Sequence, residues 1–206
     1  MHKTFISYHH ANDQDLKDAI INLGSGEDFV DKSVKDGDID TDLSEETIMR
    51  KIREDYIGES SVVVVIVGEE TSERPYINSE LQAALWGKPT GFIAVIRDEL
   101  YDRLYSSSTC TDPDCGCGIS LKFRTNEFKQ KVPYLARENN TRLENNKSTS
   151  PHYSDSEAYC GIYKYSYFTS NLESLIDEAF EKRDKNFDIK KKNINGIKTI
   201  KNPWGF

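Results

Sequence analysis

A tyrosine and a glutamate four residues apart, Tyr76 and Glu80, form the pair in this chain that is best suited to chemistry. If the segment is helical, the two side chains share one face, because residues at i and i+4 are neighbours on a helix. An aromatic ring beside a carboxylate can stack on a flat base and hold a charge near it. The same pair also occurs on solvated helices, since glutamate is mostly a surface residue. Its position after a buried strand, facing the same edge of the sheet as Ser7, favours a binding site at the rim of a cleft.

A second group of polar residues follows the first strand, in the order Ser7, Tyr8, His9 and His10. We expect them at the strand ends, where open α/β sheets bind ligands. A serine near a histidine suggests a nucleophile and a base, but no Gly-x-Ser-x-Gly turn surrounds Ser7. Adjacent histidines in a loop point apart, so we expect both to be exposed to solvent rather than catalytic. Ser7 is therefore predicted to contact a ligand.

Four cysteines and a histidine raise the question of a metal site. Cys110, Cys115 and Cys117 lie close together in sequence, and with Cys160 and His152 they offer enough ligands for a structural zinc ion. One residue separates Cys115 from Cys117, however, whereas zinc sites usually place about two to four residues between their paired cysteines. Disulfides are rare in a reducing compartment. We predict free thiols and no metal, and keep a zinc site as the alternative.

The elements that must position these residues alternate between strand and helix. Thr4 to Ser7 is predicted to form a strand, and a helix follows with Asn12 as its N-cap. The unbroken apolar run from Ser61 to Val67 predicts a central parallel strand that is buried on both faces. A helix from Ile77 to Trp86 and a strand from Gly91 to Ile96 come next.

Two further elements belong to the first half of the chain. Phe29 and Val30 predict a short strand, and Ser44 is placed to cap a helix with Thr47 at the capping-box position. The alternation of strands and helices predicts an α/β fold: a flavodoxin-like, doubly wound sheet of about five mostly parallel strands flanked by helices.

The second half of the chain is less regular. Residues 101–160 lose the alternation and include a polar tract at 138–151, so we predict a long irregular insertion that is functional or partly disordered. Apolar spacing from Leu172 to Phe180 predicts a closing helix. We assign residues 1–190 to a single domain and residues 191–206 to a C-terminal tail that packs back on it.

Charge and hydropathy exclude several classes of function. A net charge of -8 argues against general nucleic-acid binding, which requires clustered lysine and arginine. The longest apolar run, Val62 to Val67, is far too short to cross a bilayer. Polar residues after Tyr8 interrupt any signal-peptide core. We therefore expect a cytoplasmic protein with neither nucleic acid nor membrane as a partner.

The residues described above resemble a known family. The opening Phe5-Ile6-Ser7-Tyr8, the strand from Ser61 to Val67 and the Tyr76-x-x-x-Glu80 pair look like the first strand, third strand and catalytic helix of TIR domains. With the Asp-rich loop at 35–42, the chain is similar more narrowly to the TIR-like proteins of the bacterial Thoeris antiphage system. Many catalytic TIR domains have tryptophan where Tyr76 stands.

This resemblance implies an activity and a set of site residues. TIR enzymes cleave the nicotinamide–ribose bond of NAD, and the Thoeris proteins close the ADP-ribose to a cyclic isomer that signals to a separate effector. NAD is then the substrate and no cofactor is needed. By the resemblance, Glu80 is the catalytic carboxylate, and Phe5, Ser7 and Tyr76 contact the substrate. We expect the pyrophosphate near the backbone amides of residues 11–13, at the start of the first helix.

Several alternatives stay open at this stage. The chain could be a TIR-type adaptor that assembles with partners and turns over nothing. A receiver domain of the same topology is disfavoured, because Ser7-Tyr8 and Val67-Gly68 stand where that fold needs acidic residues. A flavodoxin-like electron carrier would need a glycine-containing phosphate loop after the first strand, and residues 8–12 contain none. Either the insertion or a second protomer in a homo-oligomer could shield the site from water.

Overall fold

A computed structural model describes residues 2–24, 28–30, 32–35, 37–111, 113, 115, 117–143 and 152–205. The strands are β1 (Thr4–Ser7), β2 (Phe29–Val30), β3 (Val62–Val67), β4 (Gly91–Ile96), β5 (Tyr105–Thr109), β6 (Ser120–Arg124) and β7 (Cys160–Lys164). The helices are α1 (Gln14–Leu23), α2 (Glu45–Ile52), α3 (Pro75–Leu85), α4 (Asp98–Leu104), α5 (Phe128–Lys131), α6 (Tyr134–Glu138), α7 (Tyr165–Ser170) and α8 (Leu172–Lys182).

Five strands form the central sheet, in the order β2-β1-β3-β4-β7. Each neighbouring pair runs parallel. β3 lies in the middle, and all six of its side chains are buried, because helices cover both faces of a parallel sheet. β5 and β6 form a separate antiparallel hairpin. The predicted doubly wound α/β fold is confirmed.

The pleat of β1 divides its side chains between the two faces of the sheet, since successive residues in a strand point to opposite sides. Phe5 packs in the apolar cluster that α2, α3 and α6 share. Ile6 and Tyr8 pack in the cluster on the other face, with α1 and α8. On that second face α8 approaches β4 so closely that a Cβ atom at Gly91 would clash with the Ala179 backbone carbonyl.

The helix ends agree with the sequence in one case and correct it in another. Ser44 caps α2 by accepting a hydrogen bond from the Thr47 N–H at 3.2 Å, as predicted. The N-cap of α1 is Asp13 rather than Asn12, and the Asp13 side chain makes no capping bond because Arg97 binds it. α2 continues directly into a π-helical turn at Arg53–Ile57, which the sequence pattern did not indicate.

The segment predicted as an irregular insertion is more regular than expected. Residues 101–160 contain the end of α4, the β5-β6 hairpin, α5 and α6, and β7 begins at Cys160. Pattern analysis missed the hairpin because nearly all of its side chains are exposed and no apolar alternation marks it. The prediction was wrong for these elements. Of the polar tract 138–151, residues 144–151 lie outside the described residues.

The chain after α8 runs back along the outer side of α3. Phe187 and Ile200 are buried in the same apolar cluster as Phe5. The Asn139 side chain fastens the start of this segment through hydrogen bonds to the backbone of Lys190. Among the described residues, no helix combines the length and apolar character that crossing a bilayer demands.

Candidate active site

Glu80 lies in the middle of α3, a helix that the rest of the fold encloses. Pro75 opens the helix, where its missing N–H costs no hydrogen bond. Every residue from Ile77 to Leu85 is buried, because α3 packs between the sheet and the returning C-terminal segment. Glu80 itself is only 1% exposed. The sequence predicted this carboxylate at the rim of a cleft, but the structure places it in the interior of the fold.

Both oxygens of the Glu80 carboxylate accept hydrogen bonds. Ser7 Oγ, at the end of β1, donates to Oε2 at 2.6 Å. The backbone N–H of Val34, in the loop after β2, donates to Oε1 at 2.8 Å. Charge-assisted hydrogen bonds of this kind are among the stronger ones in proteins. One carboxylate thus joins α3 to the end of β1, 73 positions away in sequence, and to the loop after β2, 46 positions away.

The surroundings of Glu80 shift the pKa of its carboxyl close to neutral pH. Burial raises the pKa of this carboxyl to about 7, because removal from water disfavours the charged form. The hydrogen bonds from Ser7 and Val34 act in the opposite direction, since they stabilise the carboxylate. Active sites are places where buried acids are tuned to such values. Glu80 can therefore exist in either protonation state under physiological conditions.

The other two predicted site residues lie in the apolar cluster on the same face of the sheet. Phe5 is completely buried there. Tyr76, one helical turn before Glu80, is half-buried and packs against that cluster. The structure thus brings Ser7 and Glu80 into direct contact and places both aromatic residues in the adjoining cluster. A role of Phe5, Ser7 and Tyr76 in binding substrate stays a prediction.

A tyrosine and an aspartate that the sequence pattern did not indicate also lie in this region. Tyr56 lies on the π-helical turn that extends α2. Burial, a hydrogen bond to Asp38 and the nearby charges of Asp55 and Glu80 raise the pKa of Tyr56. π-helical turns are frequent at functional sites. Nothing in the local sequence indicated the approach of Tyr56 to Glu80.

The loop between β2 and α2 closes the site from outside. Val34 and Ile39 are 2% and 7% exposed, and both pack in the cluster with Phe5. The loop between them is tightened by a hydrogen bond from the Lys35 N–H to Asp38 at 2.8 Å. Two cavities, of about 660 and 840 Å³, lie beside the β5-β6 hairpin instead, and Glu80 lines neither of them. In this arrangement the Glu80 carboxylate is therefore closed off from solvent.

The start of α1, predicted to bind a pyrophosphate, is organised differently. The N–H groups of Asn12 and Asp13 both donate to the His9 carbonyl, at 3.1 and 2.8 Å. Arg97 binds the carboxylates of Asp13 and Asp15 at 2.7 and 2.8 Å. The N–H groups of Asn12 and Asp13 are thus already bonded, and the Arg97 guanidinium beside them is paired with two carboxylates, so these two amides are not available to an anion in this arrangement.

The residues after β1 also separate from one another. Tyr8 is directed to the opposite face from Ser7, and its hydroxyl donates to Gln14 at 2.9 Å. His10 is exposed, as predicted. The side chain of His9 is only 15% exposed and lies 4.0 Å from Glu70, so the prediction of a solvated residue was wrong there. Of the polar group after β1, Ser7 is the member in hydrogen-bond contact with Glu80.

Residues 5–101 match the sequence model of the family described as Thoeris protein ThsB, TIR-like domain. Over these residues the chain is similar to a ThsB-type TIR-like domain. The matched range contains all of β1 except its first residue, together with the Val34 loop and α3, so it includes Phe5, Ser7, Tyr76 and Glu80. The family resemblance stated from the sequence is confirmed. No curated protein matches the chain.

Proposed function

We propose that this ThsB-type domain is an enzyme of Thoeris defence that cleaves the nicotinamide–ribose bond of NAD. Its product would be a cyclic isomer of ADP-ribose that diffuses to a separate effector protein. Three features support the proposal: the family match, the contact between Ser7 and Glu80, and the near-neutral pKa of Glu80. The contact of a buried, titratable carboxylate with the end of β1 is the observation that carries it.

A single carboxylate is sufficient for this chemistry. Breaking the bond between C1′ and the pyridinium nitrogen sends the electron pair to nicotinamide, which leaves as a neutral molecule without needing an acid. The ribosyl group becomes an oxocarbenium-like cation, and an ionised Glu80 would stabilise that charge. A nucleophilic atom of the ADP portion then attacks C1′ and gives up one proton. NAD is thereby converted to nicotinamide, a cyclic ADP-ribose isomer and a proton.

The aromatic residues and the enclosure of the site suit the second step. Attack by water would give linear ADP-ribose, so cyclisation requires that water be excluded while the cation exists. Tyr76 would stack on the nicotinamide or adenine ring, and Ser7 would orient the carboxylate. The apolar lining around Phe5, Val34 and Ile39 would keep the cation from solvent.

The closed position of the Val34 loop would make the activity of this enzyme depend on a trigger. In this arrangement the Val34 N–H occupies Oε1 of Glu80, so substrate has to displace the loop before the carboxylate can act. A trigger of infection, or assembly into a homo-oligomer, would supply the free energy for that displacement. We therefore expect the purified chain to have low basal activity.

One observation favours a second candidate, a non-catalytic TIR-type adaptor. Ser7 and Val34 already donate hydrogen bonds to both oxygens of Glu80. A carboxylate held in this way would have a purely structural role in an adaptor, which is to fasten the Val34 loop to the sheet. In an adaptor the domain surface would bind partner proteins, and replacing Glu80 would matter only through folding.

Nucleotide analysis of phage-infected cells distinguishes the two candidates. Cells would express wild type, Glu80→Gln, or the control Glu46→Gln, which changes an exposed carboxylate on α2. We expect a cyclic ADP-ribose isomer in wild type and control, and a loss of at least about a hundredfold in Glu80→Gln. Circular dichroism of the purified variants would verify that all three fold.

The adaptor predicts the opposite pattern. Wild-type protection against phage without any new nucleotide, together with retained protection by a folded Glu80→Gln variant, would overturn the enzymatic proposal.

A further inference from the structure

The β5-β6 hairpin brings three cysteines and one histidine together at its tip. The ligand atoms of Cys110, Cys115, Cys117 and His152 all lie within 4.8 Å of one another. His152 Nε2 is 3.2 Å from Cys110 Sγ and 3.5 Å from Cys115 Sγ. None of the chain's cysteines is joined in a disulfide. The fourth cysteine, Cys160, is buried in β7 and does not belong to this group.

Two distances within the group are close to those expected around a four-coordinate zinc ion. Zinc binds sulfur at about 2.3 Å and imidazole nitrogen at about 2.0 Å, and tetrahedral angles then place the ligand atoms roughly 3.5 to 3.8 Å apart. The distances from His152 to the two sulfur atoms are close to these values. Three thiolates and one imidazole form a complete set for a structural site, in which no coordination position is left open.

The short spacing between Cys115 and Cys117 argued against zinc at the level of sequence. In the fold, however, the site does not depend on a continuous cysteine knuckle. Cys110 follows β5 directly, and its N–H donates to the Ile119 carbonyl at 2.9 Å, which closes the hairpin behind the cysteines. His152 comes from a segment 42 positions later than Cys110. The ligands are thus assembled from two segments that the sequence does not place together.

The position of the histidine is fixed by its neighbour. Tyr153 donates a hydrogen bond from its hydroxyl to the Asn140 carbonyl at 2.8 Å. The guanidinium of Arg142 lies over the Tyr153 ring, 5.0 Å from its centre. These contacts hold the segment that carries His152 against the residues after α6, on the side where the hairpin tip lies.

The exposed tip of the hairpin would gain stability from an additional cross-link at this point. Its base is anchored, since Tyr105 packs against Phe128 and Arg124 binds Asn140. The remainder of both strands is exposed or nearly so and forms no apolar core of its own. An isolated two-stranded hairpin is marginal in water. Small elements of this kind are commonly stabilised by a structural metal.

We propose that Cys110, Cys115, Cys117 and His152 bind one Zn²⁺ ion, which fastens the tip of the β5-β6 hairpin to the segment leading into β7. The cysteines bind as thiolates, so each gives up its proton to solvent when the ion enters. The role of the site is structural, because its four ligands leave no position for a substrate. The proposal is independent of the activity of Glu80.

Metal analysis of the purified full chain tests the proposal. The protein would be produced without a histidine tag and without chelators, and its zinc content measured by mass spectrometry. We expect one zinc ion per chain in wild type and in Cys160→Ala, the control that removes the cysteine outside the group. Cys117→Ser and His152→Ala should retain less than about a tenth of the zinc.

A second measurement on wild type guards against variants that fail to fold. After removal of zinc, titration with Co²⁺ should give the thiolate-to-cobalt charge-transfer absorption at one equivalent, and bound zinc should slow proteolysis within residues 105–124. Wild type without stoichiometric zinc that also takes up no Co²⁺ would overturn the proposal. A disulfide among Cys110, Cys115 and Cys117 in protein purified under reducing conditions would do the same.

Discussion

At the scale of single residues, the burial of Glu80 sets the protonation behaviour of its carboxyl. A carboxylate with 1% exposure loses its hydration, and two hydrogen bonds replace only part of it. The balance leaves its pKa at about 7. The same residue therefore fastens the Val34 loop and holds a charge that can be switched near neutral pH.

The raised pKa of Glu80 predicts a pH dependence of stability that a variant can isolate. The unfolded chain loses this proton near pH 4.5, whereas the folded chain keeps it up to about pH 7. Because the native state then binds more protons than the unfolded state, the contribution of Glu80 to the unfolding free energy falls as the pH rises through this window. The full loss is about 3 kcal/mol.

Urea unfolding of wild type and Glu80→Gln between pH 4.5 and 8 measures this effect. The unfolding free energy of wild type minus that of the variant should decrease by about 3 kcal/mol across the range. Glu46→Gln, at an exposed position on α2, is the control for replacing a carboxyl group by an amide. A difference for Glu80→Gln that rises with pH would mean that the carboxyl has a depressed pKa instead.

At the scale of elements, α3 is held by polar side chains that would be expected in solvent from the sequence alone. Asn78 donates from Nδ2 to the carbonyls of Ser72 and Lys198, each at 2.9 Å. The Ile200 N–H donates to Ser79 Oγ at 2.9 Å. These buried side chains satisfy the backbone of the returning segment, which has no sheet or helix of its own to bond with.

Replacing Asn78 should therefore weaken the attachment of the tail to α3. Asn78→Ala leaves the Ser72 and Lys198 carbonyls without this donor, and we expect a loss of about 1 to 3 kcal/mol in unfolding free energy. The matched control is Asn22→Ala on the exposed side of α1, which should change stability by less than about 0.5 kcal/mol. Equal unfolding midpoints for both variants in urea would contradict the role given to Asn78.

At the scale of the whole molecule, the sheet is covered on one face by α1 and α8 and on the other by α2, α3, α6 and the C-terminal segment. Phe187 and Ile200 are 9% and 3% exposed. Ile189 and Ile197 pack beside them. The segment after α8 thus supplies side chains that belong to the apolar layer itself.

A chain ending at Lys185 should for this reason be strongly destabilised. Burying a large apolar side chain contributes about 1.5 to 3 kcal/mol, so losing Phe187 and Ile200 removes roughly 3 to 6 kcal/mol of a total that is commonly about 5 to 15. We expect a much lower melting temperature or insoluble protein. Trp204→Ala, at a residue 76% exposed, should melt like wild type. Unchanged melting of the truncated chain would show that the layer is complete without it.

Local patterns were sufficient for the elements whose burial is uniform or strictly periodic. The apolar run of β3, the strand at Gly91–Ile96 and the Ser44 cap each follow from a few adjacent residues. Parallel order also follows, since unbroken apolar strands alternating with helices leave few other arrangements. The exposed hairpin carried no such signal, because no pattern of burial marks it. The cysteines were recognised as possible zinc ligands from the sequence, but their spacing did not show that they and His152 come together.

The sequence by itself predicted the fold class and the family resemblance of residues 5–101, and it singled out Glu80 as the candidate carboxylate. Only the tertiary structure decided that Glu80 is buried, that Ser7 and the Val34 N–H hold it, and that Cys110 meets His152. The reason is physical. Periodicity reports which face of an element is buried, whereas a pKa or a ligand set depends on atoms brought together from segments tens of residues apart.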